Sequence, residues 1–140
     1  MRTHEKRGFS LVELLVVIAI IGLLTAGALV GLNLAREKAR DARRIQDVNE
    51  IGKALSIYQI SDNSFPVSVS TTTLTGSDSV SLALTGAGAI PTIPLDPLNP
   101  TYTYTYSSNA GGTTYQLSFC LETDSIPNYS SGCGNTLISR

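Results

Sequence analysis

The chain has 140 residues, enough for one small domain with a single core. Charged residues make up only 15% of it and the formal net charge is −1, so no global basic field exists to hold nucleic acid. The single histidine, His4, precedes the first apolar run, and a chain trimmed of that stretch could not use histidine as a general base or a zinc ligand. Composition therefore argues against an enzyme, and we expect no cofactor and no metal.

Charge also divides the chain into two differently built halves. Residues 1–60 hold nine of the ten Lys and Arg residues, whereas residues 61–140 are acidic. We therefore place a boundary near Ser61, with a helical half before it and a Ser-, Thr- and Gly-rich half after it.

The first half contains a long apolar run. Leu14 to Leu32 is free of charge, and nineteen helical residues span roughly 28 Å, about one hydrocarbon core. A secretory signal peptide is the rival interpretation, but its apolar region is shorter, and Ala26-Gly27-Ala28 is only a weak cleavage match. We predict a membrane-spanning helix over about residues 14–34. Because more basic residues follow this span than precede it, a positive-inside count puts the C-terminal side in the cytoplasm.

Glu13 stands at the start of the apolar run. A carboxylate there is costly unless it reaches the headgroups or finds a cation. If the chain is cut after Gly8, the new α-amine of Phe9 on another copy would lie at a similar depth and could be that cation. Both interpretations are open from the residues alone.

Residues 6–22 read KRGFSLVELLVVIAIIG, which closely resembles the N-terminus of type IV pilins and type II secretion pseudopilins. The resemblance implies that a prepilin peptidase removes residues 1–8 by cutting between Gly8 and Phe9, and that it N-methylates Phe9. It also implies that Glu13 acts in assembly. Contrary to the charge count, it implies a cytoplasmic leader and a head outside the cytoplasm.

The same resemblance implies a set of partners. They are identical or related pilin subunits, the prepilin peptidase, an inner-membrane assembly platform with a motor ATPase, and membrane lipid before assembly. The expected product is a cell-surface or periplasmic filament.

Many type IV pilins carry a proline near the position of Val30, which this chain lacks. Small residues that would let membrane helices approach closely are Gly22, Ala26, Gly27 and Gly31.

The helix is predicted to continue to Ile60, giving one helix over residues 9–60. Its second part shows an apolar face formed by Ile45, Val48, Ile51, Leu55 and Tyr58. The basic cluster over residues 36–44 is interpreted as a solvated face with local pairs such as Glu37–Arg40 or Asp41–Arg44, and with salt bridges between subunits as a second use.

Residues 61–140 are predicted to form a small β-sheet head. Asparagine, serine and Pro66 end the helix. Tyr102, Tyr104 and Tyr106 alternate with threonines, Asn109 to Gly112 is a turn, and alternation resumes over residues 115–121, which predicts an antiparallel hairpin covering the apolar helix face. Val80, Leu82 and Leu84 alternate briefly. The fold class is therefore α+β, with a long N-terminal helix on a small antiparallel sheet.

Cys120 and Cys133 are too far apart for a zinc-type motif. Outside the cell a bridge between them would close a short loop and stabilise it by roughly 3 kcal/mol. The arrangement resembles the C-terminal disulfide loop of many type IV pilins, and two unpaired thiols are the alternative.

Secretion pseudopilins that this chain resembles often hold calcium near the C-terminus. Asp96, Glu122 and Asp124 are the candidate oxygen ligands here, but the acidic string typical of such loops is absent, so we predict no metal.

The functional expectation is a structural subunit of a type IV pilus-like filament. Alternatives within the class are a type II secretion pseudopilin and a minor or tip pilin. The order of Phe65-Pro66, Pro94 to Pro97 and Tyr102-x-Tyr104 also resembles the major pseudopilin of type II secretion and related Gram-positive-type or minor pilins. This second resemblance is looser than that of residues 6–22. An alternative from another class is a membrane-anchored extracellular domain that binds a glycan through its tyrosines.

Overall fold

The computed structural model describes residues 9–139, and over residues 27–30 it describes the backbone alone. The chain divides into two compact units, with the boundary between Arg36 and Glu37. Six elements follow one another along the chain: α1 (Leu11–Asp62), β1 (Thr72–Thr73), α2 (Ser79–Gly86), β2 (Thr105–Ser108), β3 (Tyr115–Leu121) and β4 (Gly132–Ile138). The predicted α+β architecture is confirmed.

Helix α1 runs over the predicted range with both ends displaced by two residues. It ends at Asp62 because Asn63 takes a left-handed conformation with φ of 54°, which breaks the helical hydrogen-bond pattern. The left-handed residue turns the chain toward Phe65 and Pro66, which are both buried.

The sheet is antiparallel throughout, in the order β1-β2-β3-β4. The predicted hairpin is present, with Tyr106 opposite Leu117 and Ser108 opposite Tyr115. Its first strand starts later than the tyrosine pattern suggested: of the three alternating tyrosines only Tyr106 lies in β2. Tyr104 is nevertheless buried, and its carbonyl accepts a hydrogen bond of 2.9 Å from the Leu74 amide.

The core of the second unit lies where α1 meets this sheet. Ile51 and Leu55 are fully buried there, and Tyr58 is half-buried against them, as the helical pattern predicted. The sheet residues that complete the same core are Tyr104, Tyr106, Tyr115, Leu117, Phe119 and Leu121.

The alternation at residues 80–84 was misleading, since this segment is helix α2. Asp78 caps it, its Oδ1 accepting the Ser81 amide hydrogen bond at 2.9 Å, and this local bond favours helix over strand. Val80 and Leu84, four residues apart, face the core, whereas Leu82 is 58% exposed.

Strand β4 was not predicted. Its glycines and polar residues carry no strand signal, and pairing with β3 supplies what propensity lacks: Leu137 lies opposite Leu117, and Asn135 opposite Phe119. The segment expected to be a disulfide loop is thus partly a strand of the sheet.

Candidate functional site

The start of α1 is a reciprocal cap. The Ser10 amide donates to Glu13 Oε2 at 3.0 Å, and the Val12 amide donates to the Ser10 hydroxyl at 3.3 Å. This is the capping box, in which a serine before the helix and a glutamate three residues later satisfy amides that the helix leaves unpaired. The Ser-x-x-Glu spacing was visible in the sequence and was missed, because Glu13 was considered only as a charge.

Glu13 has a hydrogen bond but no counter-ion within the part of the chain that the structure describes. All ion pairs among residues 9–139 involve Arg40 or Arg44. Phe9, immediately before the cap, is 85% exposed. Gly8 and the rest of residues 1–8 lie outside the described residues.

The first part of α1 exposes many large apolar side chains. A contiguous apolar surface of this kind is unfavourable in water and marks a membrane or protein contact. Leu11 is 84% exposed and Leu23 is 77% exposed. Within residues 9–139 there is one helix that is long and apolar enough to cross a membrane, with a mean hydropathy of 2.7 in its most apolar window. Thr25 donates its hydroxyl to the Ile21 carbonyl at 2.9 Å, so this polar group is satisfied without water.

Two glycines of this segment, Gly22 and Gly31, are not required by contacts with other described residues. A Cβ at Gly22 or Gly31 would meet no heavy atom within 4 Å. Ala26 is exposed, and Gly27 lies where the backbone alone is described. Their predicted use in packing against other helices is left as a proposal.

In the second unit, a buried guanidinium joins three segments of the chain. Arg44 is fully buried on α1. Its Nε donates to Asp96 Oδ2 at 2.7 Å and its Nη2 to Asp96 Oδ1 at 3.1 Å, while Nη1 donates to Asp41 Oδ1 at 2.8 Å and to Glu122 Oε1 at 2.6 Å. We call Arg40, Asp41, Arg44, Asp96 and Glu122 the clamp.

The other members of the clamp satisfy one another. Asp41 accepts amide hydrogen bonds from Glu122 at 2.9 Å and Thr123 at 2.8 Å. Arg40 binds both oxygens of Glu122, its Nε lying 2.7 Å from Oε1. The hydrogen bond from Arg40, together with Arg44, lowers the pKa of Glu122 to about 2. Burial by itself would lower the pKa of Arg44, but its three carboxylate partners raise it, so the guanidinium stays charged.

The clamp corrects part of the interpretation of the basic cluster as a solvated face: Arg36, Lys38 and Arg43 are exposed, but Arg44 is fully buried. Asp41 and Arg44 do pair, but both are fully buried. Arg40 makes its ion pair with Glu122 of the head rather than with Glu37. Sequence spacing along one helix finds neighbours three or four residues away, whereas these partners are brought together by the fold.

The clamp also accounts for two of the three calcium candidates. Asp96 and Glu122 bind the Arg44 guanidinium, so a cation already lies between them. Asp124 is exposed and accepts the Ser131 amide hydrogen bond at 2.6 Å. The three side chains therefore do not form one set of metal ligands.

Cys120 and Cys133 are joined by a disulfide bond between β3 and β4. Cys120 is buried and Cys133 is exposed. The bond lies beside the register shift at Phe119 to Leu121 and ties the last strand to the sheet.

The tyrosines do not form a surface for a glycan. Tyr104 and Tyr106 are almost fully buried, and Tyr115 stacks on Tyr106 with ring centroids 6.0 Å apart. Tyr102 is half-buried, with the Arg44 guanidinium 5.0 Å from the centre of its ring. Burial raises the pKa of Tyr106 to about 12.

Comparison with known families matches almost all of the described chain. The family model described as "Prokaryotic N-terminal methylation motif" covers residues 4–29. The one described as "Type II secretion system (T2SS), protein G" covers residues 32–127.

Curated proteins match mainly over less than half of the chain. Type II secretion system core protein G of Escherichia coli (strain K12) is 34% identical over 46% of this chain and 44% of its own length. The type IV wide pilus major component PilA4 of Thermus thermophilus is 40% identical over 44% of this chain and 47% of its own length. Core protein G of Aeromonas hydrophila is 32% identical over 47% of this chain and 46% of its own length. The matched part is thus under half the length of each relative. No solved structure gives a significant match.

Proposed function

Because this chain belongs to the type II secretion system protein G family, we propose that it is a structural subunit of a type IV pilus-like filament. In this proposal it has no catalytic residues and is anchored in a membrane by the first part of α1 before it assembles. The observation that carries the proposal is the capped, apolar start of α1, in which Phe9 and Glu13 stand ahead of a charge-free run that the methylation motif also matches.

We propose that a prepilin peptidase cuts between Gly8 and Phe9 and methylates the new amine. Residues 1–8 would be the cytoplasmic leader, residues about 14–34 the membrane span, and residues 61–140 a head outside the cytoplasm. The disulfide between Cys120 and Cys133 supports this orientation, since such bonds persist in oxidising compartments.

In the filament, α1 would exchange lipid contacts for contacts with other copies of α1. Glu13 has no cation within residues 9–139, and the Phe9 amine of a neighbour would supply one. That pair would set how far neighbouring helices are shifted along their axes. Close approach of the helices would use the small residues Gly22, Ala26, Gly27 and Gly31.

A secretion pseudopilin is the second candidate within the class, and a minor or tip pilin is the third. The relatives named core protein G support the pseudopilin, and PilA4 supports a pilus component. A pseudopilin and a pilin differ in the process that stops when the filament is lost. A pseudopilin would be needed for export of secreted proteins, and a pilin for surface fibres.

The test is Glu13→Ala in cells that carry the chain in its native setting. We expect the variant to be made and cut normally but to assemble poorly, with purified filaments falling at least about tenfold. Mass spectrometry of the N-terminus reports cutting and methylation, and electron microscopy of sheared fractions reports filaments.

Glu37→Ala is the matched control, because it removes another glutamate of α1 without touching the cap. Normal filaments from Glu13→Ala would reject the role of Glu13. An intact Met1 and no filaments from the wild-type chain would reject the filament proposal as a whole and favour a plain membrane anchor.

A further inference from the structure

A groove of about 620 Å³ runs along the second unit beside α1. One wall is the helix, and the other is the segment before β2 that includes Ile90, Pro91 and Pro94. The helix wall includes Ala39 and Ala42, two small residues that are exposed. The charged residues that line the groove are Arg43, Asp47 and Glu50.

Asp47 is the unusual member of this set. It is only 5% exposed, yet no cation of residues 9–139 lies within ion-pair distance of its carboxylate. Its hydrogen bond comes from the neutral Tyr104 hydroxyl, at 2.9 Å from Oδ2. Buried carboxylates are ordinarily paired, because leaving water costs several kcal/mol that a cation repays.

The groove is acidic as a whole. Two carboxylates face one guanidinium, that of Arg43, and the carboxylate of Glu50 is exposed. Burial raises the pKa of Asp47, and the charges of Glu50 and Asp96 raise it further, whereas the Tyr104 hydrogen bond and the charge of Arg43 lower it; the net direction is upward. A second cation placed in this groove would relieve both effects.

The chain itself offers few cations for this task. Arg40 and Arg44 are bound in the clamp. Lys53 lies on the same helix three residues from Glu50, a spacing at which the two side chains can pair on the helix surface. Arg36 and Lys38 are exposed on α1 and make no ion pair within the described chain, and of the two only Lys38 belongs to the same unit as the groove.

We propose that the groove receives Lys38 from α1 of a second copy of this chain. The inference rests on the filament proposed above, because helices packed side by side and shifted along their axes carry Lys38 of one copy to Asp47 of another. The two positions are nine residues apart on one helix, so the contact needs a shift of about 13.5 Å. The Phe9–Glu13 pair spans four residues, a shift of about 6 Å, so the two contacts are made with different neighbours in the filament. The ammonium group then lies between Asp47 and Glu50, and the four-carbon stem extends along the groove.

Zero-length cross-linking tests the contact directly. A water-soluble carbodiimide activates a carboxylate, which a lysine amine in contact with it attacks to form an amide, while the carbodiimide leaves as a urea that has taken up the elements of water. Filaments are grown from a mixture of unlabelled and ¹⁵N-labelled chains, cross-linked and digested. We expect an amide between Lys38 and Glu50 or Asp47 whose two peptides carry different isotopes.

Variants add a readout that a purely structural role would not produce. Asp47→Asn keeps an acceptor for Tyr104 and removes the charge, and Lys38→Gln removes the proposed partner. We expect each to lower filament yield about tenfold and the double variant to lower it no further, as for two halves of one interaction. Lys53→Gln is the matched control and should leave the yield unchanged.

The outcomes separate this contact from the filament itself. If wild-type filaments form but isotope-mixed links to Lys38 are absent, or the two variants are additive, the contact is wrong and the filament proposal stands. Mixed links to Lys53 instead of Lys38 would also overturn it. If the wild-type chain forms no filaments, both proposals fail.

Discussion

Arg44 binds Asp96 through two parallel hydrogen bonds, Nε to Oδ2 at 2.7 Å and Nη2 to Oδ1 at 3.1 Å, with both side chains almost fully buried. This bidentate geometry is the strongest form of the ion pair. It attaches α1 to the proline-rich segment before β2, fifty-two residues further along the chain. That segment also forms one wall of the acidic groove, so the clamp positions the surface that we assign to a second copy.

Replacing Arg44 with methionine should destabilise the second unit strongly. The change keeps most of the side-chain volume but leaves the buried carboxylates of Asp41 and Asp96 without a cation, which costs about 3–5 kcal/mol, whereas Glu122 keeps its ion pair with Arg40. Urea unfolding of the full chain in detergent, followed by tyrosine fluorescence, measures the free energy. Arg43→Met is the control, because Arg43 is exposed and should change stability by less than about 0.5 kcal/mol. Equal losses in the two variants would contradict the role of the clamp.

Stability should fall in acid through Glu122. Arg40 and Arg44 lower its pKa from an ordinary 4.5 to about 2, so the folded state holds this carboxylate ionised more strongly than the unfolded chain does. The shift corresponds to about 3 kcal/mol, which solvent screening at this partly exposed carboxylate reduces to roughly 2 kcal/mol; this contribution is fully present above pH 4.5 and is lost as the pH falls toward 2.

The measurement is the unfolding free energy between pH 6 and pH 2, compared between the wild type and Glu122→Gln. The variant should begin less stable and lose less over this interval, so that the two curves approach each other in acid. Parallel curves would show that Glu122 does not titrate as proposed.

Breaking the disulfide should destabilise the head without affecting processing. The double variant Cys120→Ser, Cys133→Ser removes a bond between residues thirteen positions apart in the sequence. Its loss lowers the free energy of unfolding by roughly 3 kcal/mol. Alkylation before and after reduction, read by mass spectrometry, reports whether the wild-type thiols are paired. Labelling without reductant would contradict the bond.

Gly112→Ala should destabilise the hairpin turn between β2 and β3. Gly112 has φ of +60°, and a Cβ there would lie 2.7 Å from the Phe65 carbonyl oxygen, a backbone atom that cannot move aside cheaply. Left-handed strain alone costs about 1–2 kcal/mol, and the clash adds to it. Melting temperature in detergent measures the loss.

Gly111→Ala is the control from the adjacent position. A Cβ at Gly111 would meet nothing closer than the Thr113 methyl at 3.8 Å, which is ordinary contact. The neighbouring variant should therefore melt close to the wild type, and an equal loss in both would assign the effect to the general flexibility of glycine.

The elements that the sequence predicted are those whose signal is local and repeated. The helix over residues 9–60 and the strand from Tyr115 carry their apolar periodicity over many residues. Helix α2 was missed because three alternating apolar residues suggested a strand, although Asp78 three residues before Ser81 was a capping signal. Strand β4 has no such signal, and its pairing partner decides its conformation.

The clamp was missed for a different reason. From the sequence, Arg44 has an acidic neighbour three residues away at Asp41, and that pair was found. Nothing local indicates that Asp96 and Glu122 approach the same guanidinium, because that depends on how the head folds over α1. A charged residue in a cluster of charges is ordinarily exposed, and only the packed structure shows that this one is not.

The sequence alone predicts the apolar helix, the position of Glu13 and the family. Each of these depends on consecutive residues and needs no distant partner. What tertiary structure alone decided is which charges are buried and which lie open. Arg44 is enclosed by three carboxylates, and Asp47 is enclosed with no cation of residues 9–139 within ion-pair distance. The free energy of a charge depends on whether water or a counter-ion surrounds it, and both are set by segments far apart in the chain.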